Sequence, residues 1–148
     1  MRDLHNSIRF QRGISAISGA ADNVAQVSQI IDRAGYESLE FVISTGTLVD
    51  ADATFTVLVE DSVNADFTSQ TTVAAADLLG TVGNAGFQFD DDNEIRKIGY
   101  RGSKRYVRLT ITPATNTGAW PICAVAVLGN PRHSPNQNAA GADVTQAP

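Results

Sequence analysis

The feature that most constrains this chain is a period of two. Four stretches alternate apolar and polar side chains. That period puts successive side chains on opposite faces of a pleated strand, one face toward a core and the other toward water. In residues 37–44, Leu39, Phe41 and Ile43 share a face. In 53–60, Phe55, Val57 and Val59 do the same, and 86–89 is a short third run. In 105–112, Val107, Leu109 and Ile111 point one way while Tyr106, Arg108 and Thr110 point the other. The three apolar triplets are the predicted core. Residues 45–52, punctuated by Gly46, Asp50 and Asp52, read as a loop.

Other stretches are strand-like but less regular. In 94–100, Ile95, Ile98 and Tyr100 break strict alternation, and a bulge near Lys97 would restore the register. Gly99 and Gly102 lead into the next run, so 95–112 reads as a hairpin. Residues 119–128 are almost wholly apolar, as in a strand buried on both faces, one in the core and one under an arm or a neighbouring subunit. Residues 27–31 read as a first strand, although Val24, Val27 and Ile31 also fit a helix. Ala74, Ala75 and Ala76 favour one helical turn within a long loop. There is neither an internal repeat nor a heptad pattern.

Short strands joined by Gly-, Asp- and Asn-rich connections predict an all-β fold, a β-sandwich or jelly roll with extended N- and C-terminal arms. The expected organisation is an N-terminal arm at 1–25, a sandwich at 26–130 and a C-terminal tail at 131–148. The first segment mixes Gly, Ser, Ala and Asn around the apolar residues Ile8, Phe10, Ile14 and Ile17. These four are candidate partner-binding anchors. The tail, rich in Pro, Asn, Ala and Gln, has nothing with which to build a core.

The net charge is −5, so a general nucleic-acid binder is not expected. No apolar run approaches the roughly 20 residues of a membrane helix, and the first residues lack the apolar stretch of a signal peptide. The distribution of charge says more than its sum. Between Arg33 and Arg96 there are twelve acidic residues and no basic one, and six of the eleven basic residues then fall between 96 and 108. Two readings follow: internal pairing on a solvated surface, or a self-complementary surface between subunits. Under the second, Arg101, Lys104 and Arg105 contact a partner.

Catalytic chemistry finds little to work with. His5 and His133 lie near opposite ends, and Cys123 sits inside an apolar run, where a small hydrophobe is expected. There is no Gly-rich phosphate loop with its lysine and no G-x-S-x-G elbow. Asp90, Asp91, Asp92, Asn93 and Glu94 form the one cluster of hard oxygen ligands. Its spacing is not that of an EF-hand, so an acidic turn and a calcium site both stay open. Trp120 reads as a core or rim anchor, with a sugar-stacking platform as the alternative. Tyr36, Tyr100 and Tyr106 read as rim and sheet-face residues. No enzymatic activity and no cofactor are expected.

Three segments carry a resemblance: 31–43 (IDRAGYESLEFVI), 98–109 (IGYRGSKRYVRL) and 124–133 (AVAVLGNPRH). They are similar to small structural proteins of tailed bacteriophages, in particular head decoration, or cement, proteins encoded beside the major capsid protein. The resemblance spans roughly residues 27–133. It implies a capsid-surface β-sandwich made in the bacterial host cytoplasm and carried on the virion, with the major capsid protein and further copies of itself as partners, and neither nucleic acid nor membrane. It transfers no catalytic residue. A head–tail joining or tail protein and a carbohydrate-binding adhesion module are the competing readings.

Overall fold

A computed structural model of the protein describes residues 4–17 and 22–133. The C-terminal tail expected at 131–148 therefore lies outside the described residues from 134 onward. The strands are β1 (Ile8–Ile17), β2 (Gln26–Val27), β3 (Ile31–Asp32), β4 (Tyr36–Thr45), β5 (Thr54–Ser62), β6 (Thr71–Thr72), β7 (Leu78–Leu79), β8 (Phe87–Gln88), β9 (Ile95–Tyr100), β10 (Tyr106–Ala114) and β11 (Ile122–Pro131). A 3-10 turn (Ala75–Asp77) realises the helical turn expected near Ala75, and α1 (Val82–Ala85) is a single helical turn.

Two antiparallel sheets form an all-β sandwich. Sheet A runs β1-β11-β4-β9-β7, and sheet B runs β2-β10-β5-β6, with β3 also on β10 and β8 also on β5. The alternation read from the sequence explains the layering. Leu39, Phe41 and Ile43 of β4 meet Phe55, Val57 and Val59 of β5 and Val107, Leu109 and Ile111 of β10 between the sheets, and none of the nine is more than 6% exposed. Trp120 is fully buried, packs on Phe55 at a ring separation of 5.0 Å, and Phe55 in turn stacks on Phe87 at 4.6 Å.

The segment expected to be an arm contributes a strand instead. β1 runs along β11 from Ile8 opposite Gly129 to Ile17 opposite Ile122 and forms one edge of sheet A. Its register shifts between Arg12 and Ile14. Gly13 lies at that shift, where a Cβ would come within 2.9 Å of the Ala124 carbonyl oxygen. Its small residues mark a bulged edge strand, not a segment unable to pack. Ile14 is consequently buried in the core.

The expected hairpin at 95–112 is also corrected. β9 belongs to sheet A and β10 to sheet B, so the chain crosses from one layer to the other between Tyr100 and Tyr106. Gly102 makes this corner possible, because a Cβ there would lie 2.5 Å from Tyr100 Oη. Nor is there a bulge at Lys97. β9 keeps an unbroken register with β4, pairing Ile98 with Phe41 and Tyr100 with Leu39. Arg96 takes the remaining slot on that face, and Ile95 turns outward, 72% exposed. β11 buries Ile122, Ala124, Ala126 and Leu128, but Cys123, Val125 and Val127 on its other face are only half-buried. The N-terminal segment does not lie over them, because β1 pairs beside β11 in the same sheet.

Candidate functional site

The outward face of sheet A is built by cross-strand register, since directly opposed residues project to the same side. One row runs Phe10, Val127, Glu40, Gly99, Leu79, and the next runs Arg12, Val125, Val42, Lys97. A third joins Cys123 and Ser44 to Ile95. Phe10 is 54% exposed, Leu79 50% and Ile95 72%. Large apolar side chains thus open to water on both flanks of a face whose middle holds half-buried Val42, Val125 and Val127 together with Glu40, Cys123 and Ser44. Exposed Arg12 and Lys97 flank the second row, so the face is mixed: large apolar side chains set among charges, the character of a polar-rimmed interaction surface.

Glu40 is the carboxylate within this face. Gly99, with no side chain, leaves the room in which it lies: a Cβ at Gly99 would be 2.6 Å from Glu40 Oε2 and 2.9 Å from Leu79 Cβ. Desolvation raises the Glu40 pKa above the ordinary carboxylate value, and the Lys97 charge partly opposes that rise.

The residues predicted to bind a partner divide between this face, the core and an internal network. Phe10 belongs to the exposed face, and half-buried Ile8 sits opposite Gly129 at its edge. Ile14 is a core residue and is not available as an anchor. For Ile17 the backbone pairing with Ile122 is defined. Its side chain lies outside the described residues.

Arg101, Lys104 and Arg105, expected to contact a partner, each make a bond within the chain. Lys104 Nζ is 2.8 Å from Asp61 Oδ1 and also donates to Thr71 Oγ1. Arg105 donates to both oxygens of Asp32, at 2.8 and 2.7 Å. That pairing is the main reason the Asp32 carboxyl is held below its usual range. Arg101 Nε donates to the Ala76 carbonyl at 2.8 Å. Two more of the basic cluster are similarly engaged: Arg108 pairs with Glu60 at 2.7 Å and lies over the Phe67 ring, while Arg96 bridges Asp91 and Glu94. Part of the acidic stretch, Glu60, Asp61, Asp91 and Glu94, together with Asp32, thus pairs with the basic cluster within one chain, and β5 and β3 lie alongside β10 to bring Glu60 and Asp32 into reach.

The acidic cluster at 90–94 acts as a turn. Asp91 Oδ2 accepts from the Gln88 N–H and Asp92 Oδ1 from the Leu48 N–H, at 2.8 and 2.6 Å. Asp91 Oδ1 and Glu94 Oε2 both face Arg96. Among the described residues, no three His, Cys, Asp or Glu side chains converge in a way that could hold a metal ion. Trp120 is fully buried and offers no stacking platform; Tyr36 and Tyr100 are buried too, so neither is a rim residue.

Sequence reasoning missed Leu79 and Ile95. Leu79 lies on a two-residue strand too short to show a period, and Ile95 was assigned inward with the assumed bulge.

No family model matches the sequence, and no curated protein does. Solved structures do match in fold. The PBSX exported protein XepA is 14% identical with a TM-score of 0.56, over 90% of this chain and 40% of that one. The chain therefore spans about two fifths of the length of that protein. A family 35 carbohydrate-binding module, CBM35 from Cellvibrio japonicus Abf62, is 14% identical with a TM-score of 0.45, over 84% of this chain and 94% of that one. At these identities the likeness shows the β-sandwich fold alone.

Proposed function

We propose that this chain is a non-enzymatic structural module of a phage, acting by docking, and that the outward face of sheet A is the surface that docks. Its partner on this reading is the major capsid protein, with the chain decorating the outer surface of the head. The observation that carries the reading is the exposure of Phe10, Leu79 and Ile95 on the flanks of one sheet face. Burying such side chains is worth about 25 cal/mol per Å² of apolar surface. The resemblance of 31–43, 98–109 and 124–133 to decoration proteins supports it further, and the fold is one shared with the PBSX exported protein XepA.

The carbohydrate-binding alternative draws less from the geometry. Phe10 and Phe89 are the exposed phenylalanines among the described residues. The first lies on sheet A, while the second follows β8 of sheet B, so they form no common stacking platform.

The test is sedimentation of the purified chain with isolated phage heads and, separately, isolated tails from the phage whose genome encodes it. Saturable binding to heads is the expected result. A Phe10→Ser, Leu79→Ser, Ile95→Ser variant should lose that binding while its melting temperature stays within a few degrees of wild type. Binding to tails alone would establish the head–tail or tail reading in its place, and binding to neither would overturn the proposal.

A further inference from the structure

The edge of β5 is open in its middle. β6 pairs with Glu60 and Asp61, and β8 pairs with Thr54 and Phe55. Between them, no strand among the described residues pairs with 56–58 on that side. The direction of the backbone groups follows from their neighbours. Val59 turns its carbonyl away from β10 to accept from the Val73 N–H at 3.0 Å, and Ala53 likewise accepts from the Phe89 N–H at 3.1 Å. Residues two apart on a strand present N–H and C=O to the same side. Val57 therefore directs its donor and its acceptor into the gap.

That gap opens on a cleft of about 490 Å³ lined by residues 54–57, Val82, Gly83, Gly86, Phe87, Gln88, Asp91 and Arg96. Small-ligand clefts run to about 300–1,000 Å³. The cleft has an apolar wall in Val82 and Phe87 and amide and hydroxyl groups in Gln88, Thr54 and Thr56. It offers no free cation. Arg96 Nη2 is already held by Asp91 at 2.6 Å and by Glu94 at 2.7 Å. A carboxylate or phosphate would thus meet two carboxylates before it met a positive charge. Nor does it offer a ring face for a sugar, since Phe87 and Phe55 are buried and stacked on each other.

We infer that the open β5 edge at Val57 binds a short, uncharged, extended segment of another polypeptide. A peptide residue is the group that presents a donor and an acceptor on one side at strand spacing, so it meets both Val57 groups at once. This is strand addition to a sheet edge, with backbone bonds giving affinity and the cleft selecting a side chain. From Phe55 to Val59 the gap spans four residue steps, about 14 Å at roughly 3.4 Å each. It admits two or three residues, so the incoming segment is a chain end or a tight bend and not a continuous strand. The site lies on sheet B and is independent of the docking face on sheet A.

The test uses the ¹⁵N-labelled full chain and the blocked peptide acetyl-Ala-Val-Ala-amide as probe. Saturable amide shifts confined to residues 54–58 and 82–88 are expected, with Kd on the order of 1 mM for so small a ligand. Exchange of the Val57 amide should slow as the site fills. The same peptide N-methylated at valine lacks the donor and should bind at least about tenfold more weakly. Gly83→Trp fills the cleft from open space, since a Cβ at Gly83 meets nothing closer than Thr81 Oγ1 at 3.9 Å, and should abolish the shifts. Val82→Trp serves the same end if the first variant unfolds. Three results would each overturn the inference: silence at 54–58, equal binding of the N-methylated peptide, or retained binding in a folded cleft-filled variant.

Discussion

Tyr100 Oη donates a hydrogen bond of 2.8 Å to Asp61 Oδ2, and that bond ties the two sheets together. Tyr100 ends β9 of sheet A, and Asp61 lies near the end of β5 of sheet B. The same phenol oxygen accepts from the Lys104 N–H at 3.0 Å, and Lys104 Nζ returns to Asp61. Arg33 lies over the Tyr100 ring and donates to the Gly102 carbonyl at 2.6 Å. The inter-layer corner is therefore closed from both sides.

Tyr100→Phe removes one bond to a charged acceptor while keeping the ring. It should destabilise the fold by about 1.5–3 kcal/mol. Asp61→Ala should cost more, because it leaves the Tyr100 hydroxyl and the Lys104 ammonium without their acceptor in a partly buried site. Urea unfolding measures both. Equal stability of Tyr100→Phe and wild type would show that the corner is held by packing alone.

Stability should fall in acid, and the sign can be worked out. Burial pushes the Asp61 carboxyl upward, but its bonds from Lys104, Tyr100 and Thr71 together hold it below its usual value. Asp32 is lowered by Arg105. A carboxyl lowered in the folded state contributes stability that is present above its unfolded pKa, about 3.9, and is lost as pH falls through the folded value. Urea midpoints should therefore drop below about pH 4, and Asp61→Asn should flatten that drop. Glu40 has the opposite sign. Its folded pKa is raised by desolvation, so its ionisation opposes folding at neutral pH and ceases to do so in acid. Glu40→Gln should raise the melting temperature at pH 7 and leave it unchanged well below pH 4.

Removing residues 1–25 should unfold or aggregate the protein, because it deletes the strand that covers the β11 edge and takes buried Ile14 from the core. The point variant Ile14→Ala should cost about 2–5 kcal/mol. A soluble, cooperative truncated domain would show that β1 is dispensable and restore the arm reading for this segment.

The core was legible in the sequence because β4, β5 and β10 lie inside their sheets with one face on the core, where a two-residue period is strictest. β9 was misread at Arg96. That residue lies on the inward face at the sandwich rim, where a guanidinium can meet Asp91 and Glu94, so an apolar residue is not required. The ion pairs were illegible for a different reason. Lys104 is 43 residues from Asp61, Arg105 73 from Asp32, and Arg108 48 from Glu60. Such pairings depend on strand order, which no local pattern encodes. Of the face proposed to dock, Phe10 was in view from the sequence. The other flank depends on the β9 register, which turns Ile95 outward, and on β7 joining β9, which brings in Leu79.

Reversing Arg101, Lys104 and Arg105 to Glu separates the internal-pairing account from a docking account. Each of the three is tied within the chain, to Ala76, Asp61 and Asp32 respectively. Lys104→Glu puts a second carboxylate against Asp61 at the inter-sheet corner, and Arg105→Glu does the same against Asp32. The triple variant should therefore lose stability, with Lys104→Glu supplying most of the loss because its partner Asp61 is buried. Arg105→Glu alone should be mild, since exposed pairs are worth about 0–1 kcal/mol. Added salt should recover part of any loss at the exposed site, where screening acts within about 8 Å at physiological ionic strength. A triple variant as stable as wild type that fails to bind heads would return these three side chains to the partner surface.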